Sequence, residues 1–375
     1  MMLHALALLA AVTPAEPVIP KAIVIGIDGL RADGIKKAET PFMFEMAAKG
    51  ASLRAVNTWT EENAWNGHSA TNWGALLTGL TPDKTDLTHN GDVDHHVGSA
   101  EGQFPTIYHV LKGFNTELRT GLFNTWPGIG MYEGTILQFS GDVVDVSHNP
   151  AGEMTSAELD VVTVAHAKKF LTNDAADFTF VHLSQCDAAG HGFTYESPEY
   201  LAATRTVDGL VKELWQAIQS RETFDTERWL VLITSDHGGP SDGTGHGNNG
   251  DPQIRNIPLV VNQPRVSTTD GTILDVAPTV VHWMTDLWES RNMDGKTVLM
   301  DPPRTVQLLP IDEGKDDAQF SEFRSNLLAA IDKGNTDWIL SRIDPEIHFS
   351  FGGGEGKDDF LQMWEEWGGG IEGML

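Results

Sequence analysis

The sequence predicts an α/β fold, a mostly parallel central sheet with helices on both faces. Three observations predict it. Continuous apolar runs of strand length recur at "KAIVIGIDG" (21–29), "FTFVHLS" (178–184), "WLVLITS" (229–235) and "IPLVVN" (257–262). Strands that lack polar alternation are buried on both faces, as in parallel sheets. Segments of helical spacing separate these runs, the alternation expected of a sheet covered by helices. Finally, Asp28, Asp187 and Asp236 each follow just behind a run, which would bring them to the carboxyl edge where such sheets bind ligands.

The elements follow in order. "MMLHALALLAAVTPA" closes on small residues with Thr13 and Ala15 in cleavage-site positions, so residues 1–15 read as a signal peptide and the protein as exported, periplasmic or secreted. Its first residues lack Lys and Arg. The run is too short to span a bilayer, and no later stretch reaches about 18 apolar residues. After the first strand, "TPFMFEMAAKG" predicts a helix with Thr40 as N-cap, Pro41 at N1 and Gly50 past its end. "SATNWGALLTG" predicts one opening at Ser69 and closing near Gly79. "FPTIYHVLKG", "SAELDVVTVAHAKKFL", "SPEYLAATRTVDGLVKELWQAIQS" and the stretch around "LDVAPTVVHWM" have helical spacing too. The main domain is expected over 21–300, a polar, proline-bearing linker over 301–318 and an appendage over 319–375. The appendage reads as helix, turn, helix and strand, like the start of a small polyketide-cyclase-like α+β domain. It is either a truncated domain of that kind or a helical appendage.

Composition narrows the function. The 375 residues carry a formal charge of −28, a field that repels nucleic-acid backbones. An anionic substrate would need local cations, and with 25 Lys+Arg against 53 Asp+Glu bound metal is an attractive source. Cys186 stands alone, which excludes a disulfide within the chain.

The chemistry concentrates in four fragments. "IDGLRADG" offers Asp28, "CDAAGH" offers Asp187 and His191, and "SDHGGPSDGTGHG" offers Asp236, His237 and His246. Carboxylate and imidazole ligands in this mixture suit zinc or a similar divalent ion. Three Asp and three His exceed what one metal with open positions needs, and they divide into two sites. The fourth fragment, "NGHSATNWGALLTGLTPDKTDLTHN" (66–90), places Ser69 at a helix N-terminus, where free amides and the dipole favour a phosphoryl group. The plain alternative makes Ser69 an N-cap. His68 reads as structural, and "DHH" at 94–96 as a loop or at most a substrate contact.

In this order the fragments resemble the alkaline phosphatase superfamily, and within it the type I phosphodiesterases and nucleotide pyrophosphatases. The resemblance covers roughly 21–300. It implies a two-zinc site, with other divalent metals possible, acting on a small-molecule phosphoester through a covalent phosphoserine. By position Asp28, Asp236, His237 and the Ser69 oxygen would hold one ion, and Asp187, His191 and His246 the other. Ser69 falls on the nucleophile. Asn90, twenty-one residues on, falls on a family asparagine that would bind a non-bridging oxygen together with the Ala70 amide. Departures exist: "ATNW" replaces Phe-Pro-Asn-His after the nucleophile, and His237 and His246 are only nine apart.

Phosphodiester or pyrophosphate substrates are favoured, since Lys84, flanked by Asp83 and Asp86, is the evident cation near Ser69 and Asn90. Lys112 and Arg119 are the others that could fold into the pocket. A monoesterase is the rival within the class. A sulfuric-ester hydrolase would need Pro and Arg that "SATNW" lacks. A cofactor-independent-type phosphomutase needs an inserted domain, and a binding protein on this fold would be favoured by a missing ligand.

Overall fold

The computed structural model describes residues 19–58, 68–87, 90, 104–131, 135–137, 140–173, 176–247, 251–264, 266–285, 293–299, 318–333, 335–343, 345 and 358. The chain divides into two compact units, Met1–Val306 and Gln307–Leu375. In the first, strands β1 (Ile19–Ile27), β2 (Ala51–Val56), β3 (Arg119–Asn124), β4 (Val146–His148), β5 (Ala176–Leu183), β6 (Glu227–Thr234), β7 (Asn256–Val261) and β8 (Asp270–Thr272) form one sheet. Their spatial order is β4-β3-β5-β1-β6-β7-β2-β8. The helices are α1 (Gly34–Lys37), α2 (Pro41–Lys49), α3 (Ser69–Thr78), α4 (Pro82–Thr85), α5 (Ile107–Phe114), α6 (Ser156–Asn173), α7 (Gln185–Phe193), α8 (Pro198–Gln219), α9 (Pro252–Arg255) and α10 (Val276–Thr285).

The strands from β4 to β6 run parallel, and β8 pairs parallel with β2. The exception is β7, antiparallel to both β6 and β2. A parallel pair needs a crossover, usually helical. Among the described residues the segment from β6 to β7 carries a single helix, the four-residue α9, and the chain turns back along β6.

β1 explains the layering. Ala22 and Val24 pack into a core with side chains of α3, α5 and α10. Ile23, Ile25 and Ile27 point the other way, into a core built with α2, α6 and α8. A strand buried on both sides has no room for polar alternation. Gly26 has a particular role, since a Cβ there would lie 2.6 Å from the Trp73 ring. Without that Cβ the indole of α3 packs directly against the central strand. α3 is buried throughout and ends on Gly79 in the left-handed conformation, φ 67°. Thr40, Pro41 and Gly50 bound α2 as expected.

In the second unit, α11 (Ala318–Asp332) and α12 (Thr336–Leu340) meet through Phe323 and Trp338, ring centroids 6.2 Å apart. The Asn335 side chain caps α12 by accepting from the Trp338 amide at 3.1 Å. The leader, residues 301–317 of the expected 301–318 linker and the strand expected after α12 lie outside the described residues, and Ala318, expected in the linker, opens α11. Among the described residues no helix is long and apolar enough to cross a membrane.

Candidate functional site

The carboxyl ends of three adjacent strands, β5, β1 and β6, supply the site. Asp28 is the first residue past β1, and Asp236 lies two past β6. Asp187 sits in the first turn of α7, which is separated from β5 by Ser184 alone. The buried Asp160 carboxylate anchors that start, accepting from the Ser184 and Gln185 amides at 2.9 and 3.0 Å. Gly29 has φ 69°, and a Cβ there would come within 2.7 Å of the Asp187 Cα. Only glycine lets the end of β1 press so closely on α7.

On α7 the four-residue spacing puts Asp187 and His191 on one face, with Oδ1 to Nε2 at 3.5 Å. The loop after β6 brings back both remaining histidines. The His246 ring stacks on His237 at 3.7 Å between centroids, and its Nε2 lies 3.1 Å from His191 Nε2 and 3.8 Å from Asp187 Oδ1. His237 Nε2 stands 3.3 Å from Asp28 Oδ1, 3.4 Å from Asp236 Oδ2 and 3.9 Å from Asp187 Oδ1. Two triads have ligand atoms within 4.8 Å of one another: Asp187, His191 and His246, and Asp28, Asp187 and His237. Asp187 thus borders both groups, while Asp236 reaches the second through His237. Asp28, Asp236 and His237 are buried, whereas the His191 side chain is 48% exposed. The site opens to solvent on the His191 side.

Ser69 enters from α3. His68, not Ser69, occupies the N-cap position, and the Ser69 hydroxyl instead meets His237 Nε2 at 3.4 Å. His237 Nδ1 donates to the Gly238 carbonyl at 2.8 Å, which leaves Nε2 as the ring atom facing the cluster. Asn90 Oδ1 accepts from the Ala70 amide at 2.9 Å. The two groups expected at a phosphoryl oxygen are therefore neighbours, with that amide engaged by Asn90.

Burial raises the Asp28 carboxyl, but the imidazoles of His182 and His237 outweigh it and hold it well below the usual range. Burial and then the charge of Asp28 raise Asp187 and Asp236. Burial opposes a proton on His237, yet Asp236, Asp28 and Asp187 together push it up. A set this negative suits a divalent cation. Asp28 Oδ1 and Asp236 Oδ2, both buried, make no hydrogen bond and each faces His237. The residues fit metal ions.

With this geometry in view, relatedness can be read. The type I phosphodiesterase/nucleotide pyrophosphatase family profile matches residues 22–244. The chain belongs to that family, within the alkaline phosphatase superfamily. It is 25% identical over 234 residues to the human ectonucleotide pyrophosphatase/phosphodiesterase family member 7, covering 58% of this chain and 47% of that protein. It thus spans about half the length of that relative. A shorter match, 37% over 82 residues, links it to GPI ethanolamine phosphate transferase 1 of Emericella nidulans, covering 22% of this chain and 8% of that one. The fold resembles murine ectonucleotide pyrophosphatase/phosphodiesterase 5 with AMP, TM-score 0.52 at 14% identity over 71% of this chain and 95% of that one. It also resembles a 2-O GAG sulfatase, TM-score 0.56 at 13% identity over 75% and 73%.

In this phosphodiesterase-family chain the cations expected near the pocket are engaged elsewhere. Lys84 pairs with Asp294. Arg119 opens β3 at the edge opposite the site and pairs with Asp145 at 3.5 Å, as does Lys112 at 2.9 Å. Arg119 stands at the far end of β3, which runs parallel to β5 and ends, rather than starts, near the site, and Lys112 on α5 shares its Asp145 partner. The stretch at 94–96 lies outside the described residues.

Three supporting residues escape a reading of the motifs alone. His182, buried in β5, has Nε2 3.1 Å from Asp28 Oδ2, and Trp73 Nε1 donates to the same oxygen at 3.3 Å. Tyr195 donates to Asp187 Oδ1 at 2.7 Å. Burial and the neighbouring Asp187 charge raise its phenol, so it remains a donor. A histidine inside "FTFVHLS" was the available signal, since an imidazole in a buried strand needs a partner.

Proposed function

We propose that this chain is an exported two-metal hydrolase of phosphoric esters with Ser69 as nucleophile, favouring diesters or pyrophosphate-linked compounds. The observation that carries the reading is the convergence of three carboxylates and three imidazoles on one strand-end cluster, with the Ser69 hydroxyl 3.4 Å from His237 Nε2. Asp28, Asp236 and His237 with the Ser69 oxygen would hold one ion, and Asp187, His191 and His246 the second. Zinc is the metal the ligand mixture suits best. Bound there, such ions supply Lewis-acid charge that lowers the pKa of a hydroxyl or water and offsets charge on a leaving oxygen.

The chain's own residues do the rest. Ser69, fixed in the first turn of α3, forms the bond to phosphorus as the bond to the leaving alcohol breaks, and that alcohol takes up a proton. Water then cleaves the phosphoserine and restores the hydroxyl. Asn90 and the α3 amides orient the non-bridging oxygens, over which charge is spread in the transition state. A diester carries one charge less than a monoester. The engagement of Lys84, Lys112 and Arg119 by Asp294 and Asp145 supports the preference for it.

Metal analysis with turnover before and after exhaustive chelation tests the reading. Close to two ions per chain and activity lost on chelation are expected; full activity in the chelated protein refutes it.

A further inference from the structure

Asp187 is held differently from its partners. Asp28 is fixed through Oδ2 by His182 and Trp73 and turns Oδ1 to the cluster. Asp236 is held through Oδ1 by the Gly29 amide at 3.3 Å and turns Oδ2 inward. In Asp187 the oxygen that faces His191, His246 and His237 is the same Oδ1 that accepts from Tyr195. A carboxylate oxygen has two lone pairs, so one can serve the phenol and the other the cluster.

The phenol is itself held rigidly. Tyr195 is 1% exposed. Its ring is clamped between two glycines: a Cβ at Gly190 would lie 2.4 Å from it, and one at Gly239 2.1 Å. Gly190 belongs to α7 between Asp187 and His191, and Gly239 belongs to the loop that carries His237 and His246. Thr194 just before it has φ 140° and ψ 158°, a backbone conformation that a β-branched residue rarely adopts. That turn delivers the ring into the slot.

We propose that Tyr195 is a positioning residue for the Asp187, His191 and His246 group, fixing the Asp187 carboxylate by its hydroxyl and the two ligand-bearing segments by its ring. The inference rests on the metal-centre reading above. Partners of metal ligands of this kind typically change affinity by about 10–100-fold.

The test is a zinc titration of the whole chain against a chromophoric chelator. Tyr195→Phe keeps the ring and removes the hydroxyl. One of two ions should bind about 10–100-fold more weakly, with the other unchanged. In an Asp187→Ala background, adding Tyr195→Phe should leave the remaining ion's affinity as it is. Two wild-type affinities in Tyr195→Phe overturn the role of Tyr195. So does a further loss in the Asp187→Ala background, which would mark damage to the fold. A wild-type chain that takes up no zinc overturns the metal centre as well.

Discussion

Replacing Ser69 by Ala separates a nucleophile from a helix-start residue. The side chain is small, buried and makes one long hydrogen bond, 3.4 Å to His237 Nε2. It does not cap α3, whose N-cap is His68. A marginal hydrogen bond contributes at most about 1 kcal/mol. Alanine regains a few tenths through its higher helix propensity. The net change in stability is therefore under about 1 kcal/mol, or roughly 2–4 °C in melting temperature for a domain this large. Turnover should respond on another scale, because removing a nucleophile alone can cost about a millionfold. The assay is hydrolysis of bis-4-nitrophenyl phosphate by wild type and Ser69→Ala, with melting temperature and metal content measured on the same samples. A variant that keeps its fold and metal yet loses at least about a thousandfold in kcat meets the expectation. Turnover within tenfold of wild type refutes the nucleophile and the covalent mechanism with it.

Zinc at a free concentration a thousand times its Kd should stabilise the chain by about 4 kcal/mol, and Asp187→Ala and His237→Ala should each lose about one ion; a melting temperature indifferent to zinc contradicts the metal centre. Paired 4-nitrophenyl mono- and diesters at one pH should give the higher kcat/KM for the diester, and a clear monoester preference overturns the argument from engaged cations. Burial raises the Glu227 carboxyl, but hydrogen bonds from Arg221, Trp229 and Thr223 and the charge of Lys21 outweigh it and hold its pKa at about 2, against an ordinary 4.5. The unfolded chain takes up that proton first as pH falls, so stability on the order of 3 kcal/mol, present above pH 4.5, is lost between 4.5 and 2. Glu227→Gln should flatten that slope in acid denaturation, and an unchanged slope contradicts the pairing.

What the sequence revealed follows from what burial does to composition. β1, β5 and β6 are covered on both faces, so they read as unbroken apolar runs, and the candidate ligands appear just beyond their ends. The strands toward the two edges carry a weaker signal. β4 and β8 have three residues each, and β3 reads "RTGLFN", with a glycine that admits the Phe170 ring. β2 does alternate, with Leu53 and Ala55 inward and Ser52 and Arg54 outward, but over only six residues. β7 runs antiparallel to β6 where the described residues between them hold only the short α9, and no run of residues announces that reversal. The cations were illegible for a related reason. Lys112 and Arg119 are close to the site's fragments in sequence, yet strand direction carries them to the opposite edge, where Asp145 takes both.

A cluster of three carboxylates in a chain of charge −28 still has to fold. Buried like charges repel strongly where the dielectric is low. The fold meets this before any ion does. Asp28 has His182 and Trp73, Asp187 has Tyr195, and Asp236 has the Gly29 amide, each donor coming from a different segment of the chain. Each of these donors fixes a carboxylate without neutralising the cluster as a whole, and His237 at its centre is drawn toward the charged form by all three. Residues that a motif search passes over therefore set how firmly the candidate ligands are held. On this reasoning, differences in metal affinity between chains with the same six ligands should follow the residues at positions 182 and 195.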